Sequence, residues 1–209
     1  MEIAIALFER VTALDAIGPY EVLRRLPRVD VRFVAAEAGP KRCDSGALAL
    51  VADWTLAEVP NPDVVVVPGG PGTREGAGAE LVEWIRAAHA STRWTTSVCT
   101  GSLLLGAAGV LQGMRATSHW LHVERLRALG AEPTSERVVE EGKVLTAAGV
   151  SSGIDMALRL AALEAGEEVA QAIQLAIEYD PQPPFDAGSP ASAPRHVVEL
   201  VRAAARDAA

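Results

Sequence analysis

The segment Asp63–Val67 (DVVVV), followed at once by Pro68-Gly69-Gly70-Pro71-Gly72, constrains the fold more than any other feature of the chain. An unbroken β-branched run with no polar alternation predicts a strand covered on both faces, and such strands belong to parallel sheets flanked by helices. The glycines and prolines that follow predict a sharp exit at its carboxyl end. Other segments repeat the theme. Glu2–Phe8 (EIAIALF), Val29–Ala35 and Trp94–Val98 read as strands. Helical spacing marks Tyr20–Leu26, Leu81–Ala88, Gly101–Ala108, Leu121–Leu129, Ile154–Leu163 and Val169–Ile177. Arg137–Val139 and Val144–Thr146 predict a hairpin around Glu141-Gly142. Strands alternating with helices predict an α/β fold, with a mainly parallel sheet and helices on both faces.

Composition sets the outer limits. The 209 residues carry 19 Lys and Arg against 27 Asp and Glu, a net charge of −8. With no local basic cluster, this argues against a nucleic-acid surface. Hydrophobic residues at 49% and charged residues at 22% describe an ordinary globular chain. No apolar stretch approaches the ~20 residues that cross a bilayer, and Met1-Glu2 does not open a signal peptide. A cytoplasmic location is therefore expected. In a reducing compartment Cys43 and Cys99 are each read alone, without a disulfide. One domain over 1–209 is expected, with a C-terminal extension from about 179 to 209 that holds the Pro-rich run DPQPPFDAGSPASAP and a last Ala-rich helix.

Ligands of such folds gather beyond the carboxyl ends of the strands. Three segments are expected to converge there: the loop holding Asp15, the turn Gly69-Gly70, and Ser97-Val98-Cys99-Thr100-Gly101. The last has the logic of a nucleophile elbow. A side chain is thrust out at a tight turn, and Gly101 lets helix and strand approach, although Ser97 stands where glycine is usual. The helix N-terminus is expected to favour the Cys99 thiolate. Cys43 lacks such a setting and reads as core.

Backbone N–H groups of Gly69-Gly70 could stabilise charge on a substrate, and the missing lysine excludes a phosphate-cradling loop. Asp15 reads either as a helix cap or as a desolvated carboxyl that passes protons beside Cys99. Glu21 reads as a surface acid. His119 and His122 share a helical spacing without a third ligand, so no metal site is expected. His119 alone could be a polar group near the thiol, whereas His89 and His196 read as solvated. Thr100, not histidine, follows Cys99, which weakens hydrolases built on an adjacent Cys-His pair.

The segments LDAIGPYEV, VVVVPGGPG, SVCTGSLLLGAAGVLQGMRATSHW and LTAAGVSSGIDMAL together resemble the ThiJ/PfpI superfamily, a class I glutamine amidotransferase-like group. The resemblance spans the first three quarters of the chain. It implies a flavodoxin-like three-layer sandwich. Asp15, Thr100 and the tail IEYDPQPPFDAGSP are similar to the isocyanide hydratase branch. That branch implies cofactor-free hydration of an isocyanide to an N-substituted formamide. Cys99 would be the nucleophile and Asp15 the proton carrier, with Thr100, Gly69, Gly70 and His119 around water, substrate or developing charge. A small-molecule substrate and a homodimer are implied, with no membrane and no nucleic acid. The same superfamily leaves two alternatives: glyoxalase or deglycase chemistry on 2-oxoaldehydes, and a non-enzymatic ligand or redox sensor like the N-terminal half of AraC-type regulators.

Overall fold

The computed structural model describes residues 1–75 and 77–207. Its strands are β1 (Glu2–Ala6), β2 (Asp30–Ala35), β3 (Gly39–Arg42), β4 (Ala49–Ala52), β5 (Trp54–Thr55), β6 (Val64–Val67), β7 (Trp94–Val98), β8 (Arg115–Ala116), β9 (Glu132–Pro133), β10 (Val138–Glu141) and β11 (Val144–Ala147). Its helices are α1 (Ala13–Leu23), α2 (Gly72–Glu75), α3 (Ala79–Ser91), α4 (Gly101–Ala107), α5 (Ser152–Ala165), α6 (Glu167–Ala176) and α7 (Arg195–Asp207). The chain divides into two units, Met1–Ile177 and Glu178–Ala209. In the second, α7 starts beyond Pro194, whose carbonyl accepts the N–H groups of Val197 and Val198.

A seven-stranded sheet in the order β10-β11-β7-β6-β1-β2-β5 forms the centre of the first unit. All neighbours are parallel except β10 and β11, the hairpin that closes one edge through Gly142 at φ +59°. Helices α1 and α5 pack together, as do α3 and α4. With Val64, Val65, Val66 and Val67 all buried, the central strand is covered on both faces. The unit is a flavodoxin-like α/β three-layer sandwich. That arrangement explains the unbroken valines of β6: neither face of this strand meets water, so neither face has any use for a polar side chain.

The order of strands positions the site. β6 lies between β1 and β7, pairing Val66 with Ile5 on one side and Val67 with Ser97 on the other. The chain runs from β1 outward to β2 and returns to β6 on the opposite side, so β1 and β6 flank the point where the winding reverses. Crevices open at such points because consecutive connections leave toward opposite faces.

Three local expectations are corrected. Asp15 lies in the first turn of α1, not in a loop, and Pro19 sits inside that helix. Proline has no N–H to give the carbonyl four residues back, which is that of Asp15; the packing of α1 on α5 outweighs the lost bond. Val123–Leu129 forms a 3₁₀ segment instead of an α-helix, ending at Gly130 with φ +84°. It buries Leu126 alone, so the pressure to extend an α-helical apolar face is weak. The β3–β4 hairpin went unread because its sequence, GPKR opposite ALVA, carries little β-branched signal.

Candidate active site

Cys99 is the pivot between β7 and α4. Its φ of +57° is a left-handed value in a residue with a Cβ, and such backbone persists only where the surroundings impose it. Here the Cys99 N–H donates to the carbonyls of Ala147 and Ala148 at 3.0 and 2.8 Å. Its own carbonyl accepts the hydroxyls of Ser102 and Ser118 at 3.1 and 3.0 Å. Gly101 meets its expected role: a Cβ there would lie 2.0 Å from the Val67 carbonyl oxygen, so only glycine lets α4 start this close to β6. Ser97, by contrast, is fully buried with its hydroxyl unpartnered.

Asp15 is brought to this sulfur by α1. Its side chain is shut off from solvent, and Oδ2 accepts the Gly69 N–H at 2.9 Å. The thiol of Cys99 interacts with the carboxyl, while Oδ1 makes no hydrogen bond of regular geometry. One backbone donor does not replace the water a carboxylate loses, and burial raises the Asp15 pKa from 3.8 to about 7. Of the two sequence readings, helix cap and desolvated acid, the structure supports the second: Thr12 occupies the cap position of α1.

The expectation of a resting thiolate is corrected. Burial first, and the negative charge of Asp15 second, push the Cys99 thiol up to about 12. Donors from the backbone of Val150 and Thr100 and from the Thr100 hydroxyl pull the other way but do not prevail. The helix beginning at Gly101 has only seven residues, and its end effect is smaller than the desolvation. Sulfur and carboxyl therefore hold one proton between them once the pH passes about 7.

The glycine turn also behaves differently from expectation. Gly70 at φ +134° donates its N–H to Thr100 Oγ1 at 2.9 Å, and Gly69 spends its N–H on Asp15. Both donors are committed, so neither glycine offers a free N–H to a substrate. Their service is positional. A Cβ on Gly69 would fall 2.5 Å from Thr100 N, 2.7 Å from Thr100 Oγ1 and 2.9 Å from Asp15 Oδ2. The turn thus fits between acid and threonine because it has no side chain.

Cys99, Thr100, Gly70 and His119 line one cavity of about 170 Å³, together with Thr12, Pro71, Arg74, His122 and Val150. His119 Nδ1 accepts the Leu121 N–H at 3.3 Å, so the neutral ring carries its proton on Nε2. Burial keeps that ring neutral by lowering its pKa. Val150, with φ +27°, was not singled out by sequence; strain of this kind has no signature in residue type. Arg74 was also missed, since a lone arginine after a glycine turn gives no warning that it faces a cavity.

The remaining residues lie elsewhere. Cys43 is buried with a raised pKa, chiefly through burial. Glu21 pairs with Arg24 and Arg25. His196 is exposed, but His89 is half-buried against Thr95 Oγ1 at 2.8 Å instead of solvated. Among the described residues no group of three His, Cys, Asp or Glu could hold a metal ion, and no helix is long and apolar enough to cross a membrane.

A cysteine forced into a left-handed elbow at the end of a parallel strand, with a buried acid from the first helix against it, marks an α/β protein of the amidotransferase-like kind. Residues 1–163 match the DJ-1/PfpI family, and the chain belongs to that family. It is 46% identical over 203 residues to the isonitrile hydratase of Pseudomonas putida, covering 97% of this chain and 89% of that protein. A ThiJ/PfpI family protein from Pseudomonas syringae superposes with a TM-score of 0.95 at 37% identity, covering 99% of this chain and 86% of that one. Drosophila melanogaster DJ-1beta shares the fold at a TM-score of 0.76 and 22% identity, over 85% of this chain and 97% of its own.

Proposed function

We propose that this protein is an isocyanide hydratase that works through a cysteine thioimidate. The observation that carries the reading is the burial of Asp15 against Cys99, which leaves acid and sulfur sharing one proton away from water. The resemblance to the Pseudomonas putida isonitrile hydratase supports the choice of electrophile.

The terminal carbon of R–N≡C accepts a nucleophile and a proton at the same atom, and this pair delivers both. Asp15 carboxylate takes the thiol proton as sulfur attacks, then passes it to that carbon, giving Cys99–S–CH=N–R and restoring the carboxylate. Water then adds to the thioimidate carbon. Asp15 takes one proton from the water and passes it to the nitrogen, leaving a tetrahedral S–CH(OH)–NHR and the carboxylate restored. Collapse forms the formyl C=O, breaks the C–S bond and returns the hydroxyl proton to sulfur. The sum is R–NC plus water to R–NH–CHO, so the reaction as written calls for no redox partner or cofactor. The N–H groups of Thr100 and Val150 and the Thr100 hydroxyl stabilise negative charge on sulfur during attack and expulsion. His119 Nε2–H is one donor that the cavity wall offers. A homodimer is also proposed, and light scattering tests it.

Purified protein incubated with phenyl isocyanide is expected to release formanilide, with no lactate formed from methylglyoxal in a parallel reaction. Intact-mass analysis of acid-quenched enzyme should show an adduct equal to the isocyanide mass, absent from Cys99→Ala. A folded Cys99→Ser variant that keeps the wild-type rate would refute the mechanism. Lactate without formamide would move the assignment to glyoxalase chemistry.

A further inference from the structure

The mouth of the Cys99 cavity is lined by one cationic side chain, Arg74, and by two imidazoles, His119 and His122. Several arginines elsewhere are tied to carboxylates: Arg24 and Arg25 to Glu21, Arg32 to Glu2 and Asp30, Arg115 to Glu136 and Glu141, Arg137 to Asp155, Arg159 to Glu140. Arg74 lines the cavity from α2, and among the described residues it forms no ion pair; the same is true of Arg125. His122 lies on the same wall, and both guanidinium groups act on it. Burial first, then His119, Arg74 and Arg125, hold its pKa down at about 4, which marks the local potential as positive. The chain as a whole carries a net charge of −8, so the local charge at this opening is opposite in sign to that of the molecule.

No Asp or Glu side chain among the described residues lines the same cavity to answer these charges. Asp44, which accepts the hydroxyl of the lining residue Thr12 on one oxygen and the Ser45 N–H on the other, is not itself part of the lining. Asp15 lies behind the sulfur, shielded from solvent. A neutral substrate would therefore leave the guanidinium at the mouth without a partner, whereas an anionic group on it would be drawn in and oriented with its other end toward Cys99.

We infer that the mouth formed by Arg74 and His122, with Arg125 behind it, is a carboxylate subsite, and that the substrate is an isocyanide carrying a carboxylate. This rests on the hydratase reading. The cavity of about 170 Å³ suits a small acid of this type, with the isocyano carbon at the thiol and the carboxylate on the arginine. His122, neutral at pH 7, contributes an N–H donor, and Arg74 the charge. The product would be the corresponding formamido acid.

The test compares 4-isocyanobenzoate with its methyl ester, matched in shape and differing by one charge. In wild type, kcat/KM for the acid is expected to exceed that for the ester by about tenfold at low salt, with the excess lost near about 0.5 M NaCl. In Arg74→Gln the acid-to-ester ratio should fall toward one, and Arg125→Gln should lower it by less. Calorimetry adds a readout that needs no turnover: wild type should bind 4-formamidobenzoate more tightly than its methyl ester, and Arg74→Gln should not. Equal hydration of acid and ester by wild type, or a ratio unchanged in Arg74→Gln, overturns the subsite and leaves the hydratase reading intact. Hydration of neither compound, nor of phenyl isocyanide, removes both.

Discussion

Among the described residues the Gly69 N–H is the single backbone donor that Asp15 receives, at 2.9 Å, in a place closed to solvent. That bond fixes where the acid stands, and its insufficiency as a replacement for water is what makes the acid basic enough to move protons near neutral pH.

A pH profile follows from this. Only the carboxylate form of Asp15 can take the Cys99 proton, and burial holds the acid's pKa at about 7. Hydration kcat/KM should therefore be low at pH 5, rise through an apparent pKa near 7 and stay level to pH 9, because the thiol itself is held near 12. Stopped assays across buffers of constant ionic strength measure it; a profile flat from pH 5 to 9 contradicts the assignment.

Asp15→Asn should lose activity by at least about 1,000-fold, in the range general acid-base catalysis supplies, yet gain stability. An unfolded chain ionises this carboxyl near 3.8 and the folded one near 7, so folded stability is lost as pH rises through that window. Asparagine removes the penalty, and the expected gain is roughly 2–4 kcal/mol at pH 8, shrinking to nothing near pH 4. Urea unfolding of both proteins at the two pH values decides it.

Gly69→Ala brings a methyl 2.5 Å from Thr100 N and 2.9 Å from Asp15 Oδ2, neither of which can retreat without breaking the site. The expected cost is about 1–3 kcal/mol from overpacking. Misplacement of the acid should lower kcat by about 100-fold. Melting temperature and initial rates measured together check both, and a variant with wild-type kcat would show that the turn is not the spacer described.

At the elbow, strain predicts an ordering of variants. With φ at +57°, Cys99→Gly should be more stable than Cys99→Ala by about 1 kcal/mol, against the usual preference for alanine. Denaturant midpoints compare them directly.

Thr100→Val keeps shape but removes the acceptor of the Gly70 N–H, leaving a buried donor unpaired at a cost of about 1–3 kcal/mol. It also withdraws a donor from the sulfur, so the rate of thioimidate formation, followed by mass spectrometry after mixing, should fall along with the denaturant midpoint.

Much of this was legible in residue order. The four valines of β6 had to be covered on both faces, and that requirement, repeated in the apolar run of β1, points to a parallel sheet. A cysteine at a strand end followed by Thr-Gly marked the elbow, and Gly101 could be given its role, because close approach of helix and strand depends on a missing side chain and glycine is visible in a sequence. What residue order did not decide was the balance of charge. Whether Cys99 rests as thiol or thiolate, and whether Asp15 is a cap or a proton carrier, depends on how much water reaches each group, and that is set by neighbours far away in the chain. The committed N–H groups of Gly69 and Gly70, the strained Val150 and the unmatched Arg74 are likewise products of folding: hydrogen-bond partners and solvent exposure belong to pairs of distant segments, whereas hydrophobic pattern and glycine belong to single ones.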